Sequence, residues 1–314
     1  MNPEPKSEAV TVTVAIPTRD PNLSFLGAAV DSVLAQTRPV DRIVVVDNSQ
    51  KAPGAVRELC ESYGKGTVDY LPPVRNLSMG ENHQRALSEA RSTFACVMQD
   101  DDVHLPTFVE RALSAFHDHP DAGVFAVNYS VIDESGAILR PCAWLDFRSG
   151  VLSPTEFLSY AIEFMSPVHL SASMFRRDAA TNTSFWEVDA TCFDIGFFLR
   201  LACAGPVILV DEPLASVRQH TRSSSFSQGW YGRSNSITVS VLPIEWRTKS
   251  RFLRSGSAAQ ALGDDLEPLR KRATKRIMDR YIGVILGRGY SMKERMACVR
   301  NAFDMKTARY TKSQ

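Results

Sequence analysis

FACVMQDDDVHLP, Phe94 to Pro106, is the stretch on which the fold turns. Phe94 to Met98 is a short, continuously apolar run, as expected of a strand buried on both faces. Three consecutive carboxylates, Asp100, Asp101 and Asp102, follow it, and Pro106 opens a helix with Phe108, Val109, Ala112, Leu113 and Phe116 on one face.

The same alternation extends outward. Val10 to Ile16 alternates apolar and small residues and reads as a first strand. Leu23, Leu26, Val30, Val33 and Leu34 recur at helical spacing. Arg42 to Val46 is a second buried strand, followed by a helix near Val56 to Tyr63 and a short strand near Thr67 to Leu71. Gly80 to Arg91 is a further helix. Strands alternating with helices predict an α/β fold, a Rossmann-like, mostly parallel sheet with helices on both faces. Such sheets bind ligands at the carboxyl ends of their strands. That rule singles out Thr18-Arg19-Asp20, Asp47-Asn48-Ser49 and Asp100-Asp101-Asp102. Further on, strand-like pieces lie near Gly123 to Asn128 and Met174 to Arg176. A helix is expected from Asp194 to Ala204, then a strand, Val207 to Val210, and a turn at Asp211-Glu212-Pro213.

With 314 residues, 44% hydrophobic and 23% charged, the chain has the composition of a globular protein. No apolar run reaches the roughly 18 residues of a membrane span. Met1 to Ser7 lacks the apolar core of a secretory signal, and the expected location is cytoplasmic. The six cysteines are widely spaced with no zinc-ligand rhythm, and read as reduced core residues. Charge is uneven: residues 247–314 hold 17 Lys and Arg against 6 Asp and Glu, although the whole chain has 36 against 35. The body is therefore acidic and the tail basic.

Carboxylates as close as Asp100 to Asp102 repel one another, so a strand end that gathers them binds a hard cation or faces water. Turn and capping duty is the alternative. Asp47 is open to an Asx turn, Arg19 and Arg85 to being solvated charges, and Asp194 to capping the helix it begins. A helix N-terminus at Gly80 to Arg85 suits phosphate or ribose oxygens, with Asn82 and Arg85 projecting from its first turns.

Val12 to Asp20 (VTVAIPTRD), Arg42 to Ser49 (RIVVVDNS), Asn76 to Leu87 (NLSMGENHQRAL) and Val97 to Pro106 (VMQDDDVHLP) resemble, in order and spacing, family 2 glycosyltransferases with the nucleotide-diphospho-sugar transferase (GT-A) fold. Asp194 to His220 (DIGFFLRLACAGPVILVDEPLASVRQH) resembles the family segment that runs from the catalytic base to an Arg-x-His, so the resemblance covers about residues 10 to 221. It implies an inverting, metal-dependent transfer of a sugar from a nucleotide diphosphate donor to an acceptor hydroxyl, in bacterial cell-surface polysaccharide or glycoconjugate synthesis. The alternatives are glycosylation of a soluble natural product, or an inactive sugar-nucleotide-binding or scaffold protein. The acceptor, whether glycan, lipid-linked or small molecule, stays open, and no nucleic-acid partner is expected.

By the same resemblance Pro17, Thr18, Arg19, Asp47, Asn48, Asn82, Arg85 and Asp100 hold the nucleotide sugar. Asp101, Asp102 and His220 hold Mn²⁺ or Mg²⁺, the imidazole tilting the choice toward Mn²⁺. Asp194 is the general base, with Glu187 and Asp189 as substitutes. The chain departs from the family pattern at Gln99, where relatives carry the first Asp of the motif, and at His83, where many carry a large or basic residue. A nucleotidyltransferase or phosphatase on a similar sheet is disfavoured: the first strand ends in Pro17-Thr18-Arg19-Asp20, neither a glycine-rich loop nor a D-x-D.

The expected organisation is a transferase domain over 1–235, with a nucleotide-sugar half at about 10–120 and an acceptor half at about 121–221. A basic helical extension follows over 236–314. Arg222 to Ser234, rich in Ser and Gly with Phe226, Trp230 and Tyr231 interspersed, reads as a lid. In the extension, Arg270, Lys271, Arg272, Lys275, Arg276 and Arg280 accompany Ile277, Met278, Tyr281, Ile282, Ile285 and Leu286 on one helix. That helix can pack on the body, form a homodimer contact, or rest peripherally on the anionic inner face of the cell membrane.

Overall fold

The computed structural model describes residues 10–144, 147–163, 168–180, 183, 185, 193–221 and 237–286, together with 292, 295, 296, 298 and 299. The sequence-predicted lid, Glu187, Asp189 and Cys192 lie outside the described residues.

The first half follows the expected alternation: β1 (Val12–Thr18), α1 (Leu23–Leu34), β2 (Arg42–Asp47), α2 (Pro53–Ser62), β3 (Asp69–Leu71), α3 (Met79–Glu89), β4 (Phe94–Val97), β5 (Val103–His104) and α4 (Phe108–Asp118). Then come β6 (Val124–Ile132), β7 (Ile138–Arg140), β8 (Gly150–Leu152), α5 (Pro154–Glu163), a 3₁₀ turn at Leu170–Ala172, β9 (Ser173–Arg176), α6 (Phe193–Leu201) and β10 (Val207–Arg218). Three helices follow: α7 (Ile237–Phe252), α8 (Gly256–Leu262) and α9 (Leu266–Leu286).

The strands form one sheet in the order β3-β2-β1-β4-β9-β6-β10-β5, with β7 on β6 and β8 on β10. From β3 to β4 the pairing is parallel. β9 inserts antiparallel between β4 and β6, and β10 runs parallel to β6. The ends of β1, β2 and β4 therefore open on one edge. Every residue of β1 is buried, as its position between two parallel neighbours requires. Apolar side chains on the two sheet faces form two clusters, one around Val14, Ile16, Val45 and Phe108, the other around Val44, Val97, Phe157 and Phe197.

The strand expected over Val207 to Val210 continues to Arg218. The residues read as a turn form an irregularity instead, with the register to β6 shifting on both sides of Pro213. Proline has no N–H for the ladder, so it sits at a bulge. Past that bulge the strand delivers Arg218 and His220 to the edge where β4 ends.

The extension packs on the body. Phe252, Leu253, Leu262, Leu269 and Ala273 belong to the same cluster as Phe157 and Phe197. Leu269, Ala273, Ile277 and Tyr281, four residues apart, form the buried stripe of α9. A buried ion pair on α7, Glu245 to Lys249 at 2.6 Å, joins it to the body: Lys249 Nζ also donates to the Ile162 carbonyl, and Glu245 meets Arg280 of α9 at 3.5 Å. No helix among the described residues is long and apolar enough to cross a membrane. Cys60, Cys96, Cys142 and Cys203 are free thiols.

Candidate active site

The ends of β1, β4 and β10 enclose a cleft of about 480 Å³. Its lining includes Pro17, Thr18, Arg19, Asn48, Asn82, Asp100, Asp101, Asp102 and His220, all candidates from the sequence. Residues the sequence had given no task line it too: Phe25, Glu134, His169 and Arg218, with His83 and Gln99.

Each wall has a local cause. Asp20 adopts a φ of 47°, which aspartate tolerates, and its carboxylate accepts from the Gln50 and Lys51 N–H groups, tying the end of β1 to that of β2. Ser78 and Glu81 close a capping box at the start of α3. That box fixes the first turn of α3, where the Asn82 amide donates to the carbonyls of Thr18 and Val46.

The acidic turn is held from three sides. Thr18 Oγ1 donates to Asp100. His220 Nε2 lies 2.8 Å from Asp101 Oδ2, with its ring 5.2 Å from that of Phe25. Asp102, 1% exposed, accepts from Ser171 Oγ at 2.5 Å and from the Arg218 N–H at 2.8 Å. The Arg218 guanidinium donates to the carbonyls of Asp101 and Asp133 at 2.9 Å and lies 4.6 Å from the Phe25 ring centre. It thus clamps the turn from below the aromatic ring.

Burial first, and then repulsion from Asp101, push the Asp100 carboxyl up to about 7. The same two causes hold Asp102 well above the usual carboxylate range. Burial brings His169 down to about 4, so this imidazole contributes no cation. Such a cluster is one that a bound cation stabilises. Asp101 with His220 would supply two donors on the cleft surface, a set that suits Mg²⁺ or Mn²⁺. Among the described residues there is no preformed group of three metal-ligating side chains.

Four of the candidates make contacts of their own within the fold. Both oxygens of Asp102 accept hydrogen bonds, one from Ser171 Oγ and one from the Arg218 N–H, so it fastens the turn. Asp47 is fully buried: one oxygen accepts from the Ser49 N–H at 2.7 Å, forming the Asx turn, and the other from the Tyr70 hydroxyl at 2.9 Å. Arg85 turns away from the cleft and donates to the carbonyls of Asp47 and Pro72. Asp194 sits in the first turn of α6 with Oδ1 on the Ile195 N–H at 2.8 Å, outside the lining. Its neighbour Phe193 packs 4.6 Å from the His83 ring, which does line the cleft.

The model of the family described as "Glycosyl transferase family 2" matches residues 13–180. The chain belongs to this family. It is 22% identical over 245 residues to the uncharacterized glycosyltransferase MJ1057 of Methanocaldococcus jannaschii, covering 77% of this chain and 81% of that protein. Against the amylovoran biosynthesis glycosyltransferase AmsE of Erwinia amylovora it is 23% identical over 211 residues, covering 65% and 74%. The crystal structure of S. aureus TarS 1-349 in complex with UDP-GlcNAc superposes with a TM-score of 0.56 at 15% identity, over 96% of this chain and 93% of that one. That likeness is one of fold.

The raised Asp100 pKa carries a pH signature. A carboxyl that binds its proton more tightly folded than unfolded adds stability at low pH, and this is lost as pH rises from about 4 through about 7. Metal-free protein should lose stability across that window, by at most about 1.4 kcal/mol per pH unit for one proton. Asp100→Asn should flatten the slope, and denaturant unfolding at pH 5 and pH 7.5 measures it. Equal slopes in both proteins would mean that Asp100 ionises normally.

Proposed function

We propose that this glycosyltransferase moves a sugar from a nucleotide diphosphate donor to an acceptor hydroxyl by one inverting displacement. The observation that carries this is the convergence of Asp101 and His220, at 2.8 Å, beside the ends of β1 and β4. Pro17, Thr18, Arg19, Asn48 and Asn82 line the part of the cleft suited to the nucleoside. Asp101 and His220 would hold Mn²⁺ or Mg²⁺, which supplies charge neutralisation for the diphosphate as it leaves.

The acceptor oxygen bonds to the anomeric carbon, the bond from that carbon to the phosphate oxygen breaks, and the nucleoside diphosphate departs with its electron pair. The proton of the acceptor passes to Asp194, for which the approach of Phe193 to the cleft wall is the support. Asp102 and Arg218 keep the turn in place during the displacement. The similarity to AmsE supports a cell-surface polysaccharide or glycoconjugate as the class of acceptor.

A membrane-surface site for the acceptor is supported by the outer face of α9. Opposite its buried stripe, Lys271, Lys275, Ile282 and Leu286 follow one another at helical spacing beside Asp279. Ile282 is 47% exposed and Leu286 74%. Each Lys adds about 1 kcal/mol of attraction to an anionic surface at low salt. The protein should pellet with anionic vesicles, stay in solution with neutral ones, and be released by high salt. Indifference to anionic vesicles would leave this face without that role.

Two variants separate binding from chemistry. Asp101→Ala should remove the Mn²⁺-dependent part of nucleoside diphosphate binding, read by calorimetry, with the fold intact. Asp194→Asn should bind the donor normally and turn over about a hundredfold more slowly. Unchanged Mn²⁺-dependent binding in the first, or near-normal turnover in the second, would move the metal or the base elsewhere.

A further inference from the structure

His169 lines the cleft, and the displacement described above gives it no task. It stands immediately before the 3₁₀ turn that leads into β9. β9 runs antiparallel to β4, so this turn lies at the edge where β4 passes into the acidic turn. His169 Nδ1 accepts from the Ser171 N–H at 3.3 Å and so caps the 3₁₀ turn. A backbone N–H can only donate. Nδ1 therefore holds its lone pair, and the one proton of the ring sits on Nε2. Burial, which brings the pKa of this imidazole down to about 4, agrees with the neutral form.

The ring is fixed at its near edge. Nδ1 faces Ser171 and lies 3.9 Å from Asp102 Oδ2, and the ring packs 5.2 Å from that of Tyr129. Nε2 is the far tip of the side chain. It has no hydrogen-bond partner among the described residues, and it is not shut away, for the side chain is 24% exposed in a residue that lines the cleft. Asp101 is the charged group that acts on this ring. The Arg218 guanidinium lines the same cleft but is committed to the carbonyls of Asp101, Asp133 and Glu134. His169 thus offers, beside Asp101, a fixed N–H donor for which the described residues supply no acceptor.

We propose that His169 is a catalytic residue whose Nε2–H donates a hydrogen bond to the distal phosphate of the nucleoside diphosphate. The inference rests on the proposed function, which sets that phosphate against Asp101 and His220. An ionised phosphate oxygen only accepts, as this donor requires. It gains negative charge as its bond to the anomeric carbon breaks and the electron pair passes to it, so a preplaced donor favours the departing group. The proton stays on Nε2 throughout. The same tautomer excludes His169 as the base, because Nε2 has no lone pair with which to take the proton of the acceptor hydroxyl.

His169→Asn separates the two ends of the ring. Its side-chain oxygen keeps a cap on the Ser171 N–H, and its shorter amide withdraws the donor from the cleft. The unfolding midpoint should stay at that of wild type. Calorimetry in Mn²⁺ uses whichever of UDP, GDP and ADP binds the wild-type protein. That diphosphate should bind the variant about tenfold more weakly, the scale of one hydrogen bond to a charged group. Its sugar conjugates should weaken by the same factor, and the matching nucleoside monophosphate should bind as it does to wild type. Undiminished diphosphate affinity, a loss confined to the sugar conjugates, or an equal loss for the monophosphate overturns the assignment of His169. NMR of the wild-type protein in Mg²⁺ reads the inference should the variant fold poorly. Proton–nitrogen correlations should place the ring proton of His169 on Nε2, and the diphosphate should shift its resonance where the monophosphate does not. A ring protonated at Nδ1, or one that the diphosphate leaves unchanged, also overturns the assignment. A wild-type protein that binds no nucleoside diphosphate overturns instead the donor-site reading beneath it.

Discussion

The Asp102 carboxylate accepts at once from Ser171 Oγ and from the Arg218 N–H, and so joins three distant parts of the chain: the turn after β4, the 3₁₀ turn before β9, and the end of β10. A buried carboxylate is costly unless its lone pairs are filled. Asp102 is 1% exposed and uses both oxygens, so the three segments have little freedom to separate. β5 reinforces the junction, for immediately after the acidic turn it pairs antiparallel with β10 through His104 and Ala215, and through Val103 and Ser216. Asp101 and His220 face each other because of this junction, although 119 residues separate them in the chain.

Electrostatics sets Asp101 apart from its two neighbours. Asp100 and Asp102 flank Asp101, and burial makes their joint ionisation unfavourable. Backbone and hydroxyl donors compensate Asp102 internally. Asp101 meets His220 at the cleft surface, where the proposed cation would enter with its phosphate ligands. Asp101 thus stands on a turn whose flanking carboxyl groups are hydrogen-bonded within the protein.

Much of this was legible in the sequence where local rules govern. Apolar runs such as Arg42 to Val46 and Phe94 to Met98 mark buried parallel strands, and polar residues at their ends mark the cleft. Thr18, Asn48, Asp100 and Asp101 were found in this way. Pairings formed across the chain were not legible. Asp102 looks no different from Asp101 until Ser171 and Arg218 are brought to it. Arg85 has a ligand-facing position by helical spacing, yet two free carbonyls, of Asp47 and Pro72, lie closer. The Asp211-Glu212-Pro213 segment carries the composition of a turn. The sheet overrides it, because β6 runs alongside as far as Ile132 and rewards continuation of β10 to Arg218. The Ser-x-x-Glu signature at Ser78 and Glu81 was a local signal that could have fixed the start of α3.

The central claim is that the cleft at the ends of β1, β4 and β10 binds a nucleoside diphosphate through a divalent cation. The most direct measurement is the unfolding midpoint of the wild-type protein with UDP, GDP or ADP, in Mn²⁺ and in EDTA. At a hundredfold excess over Kd a ligand adds about 2.7 kcal/mol to the stability of the native state. At least one nucleoside diphosphate should raise the midpoint by several degrees in Mn²⁺ and lose most of that effect in EDTA. A midpoint that no nucleoside diphosphate moves, or one raised equally in Mn²⁺ and EDTA, would contradict the account.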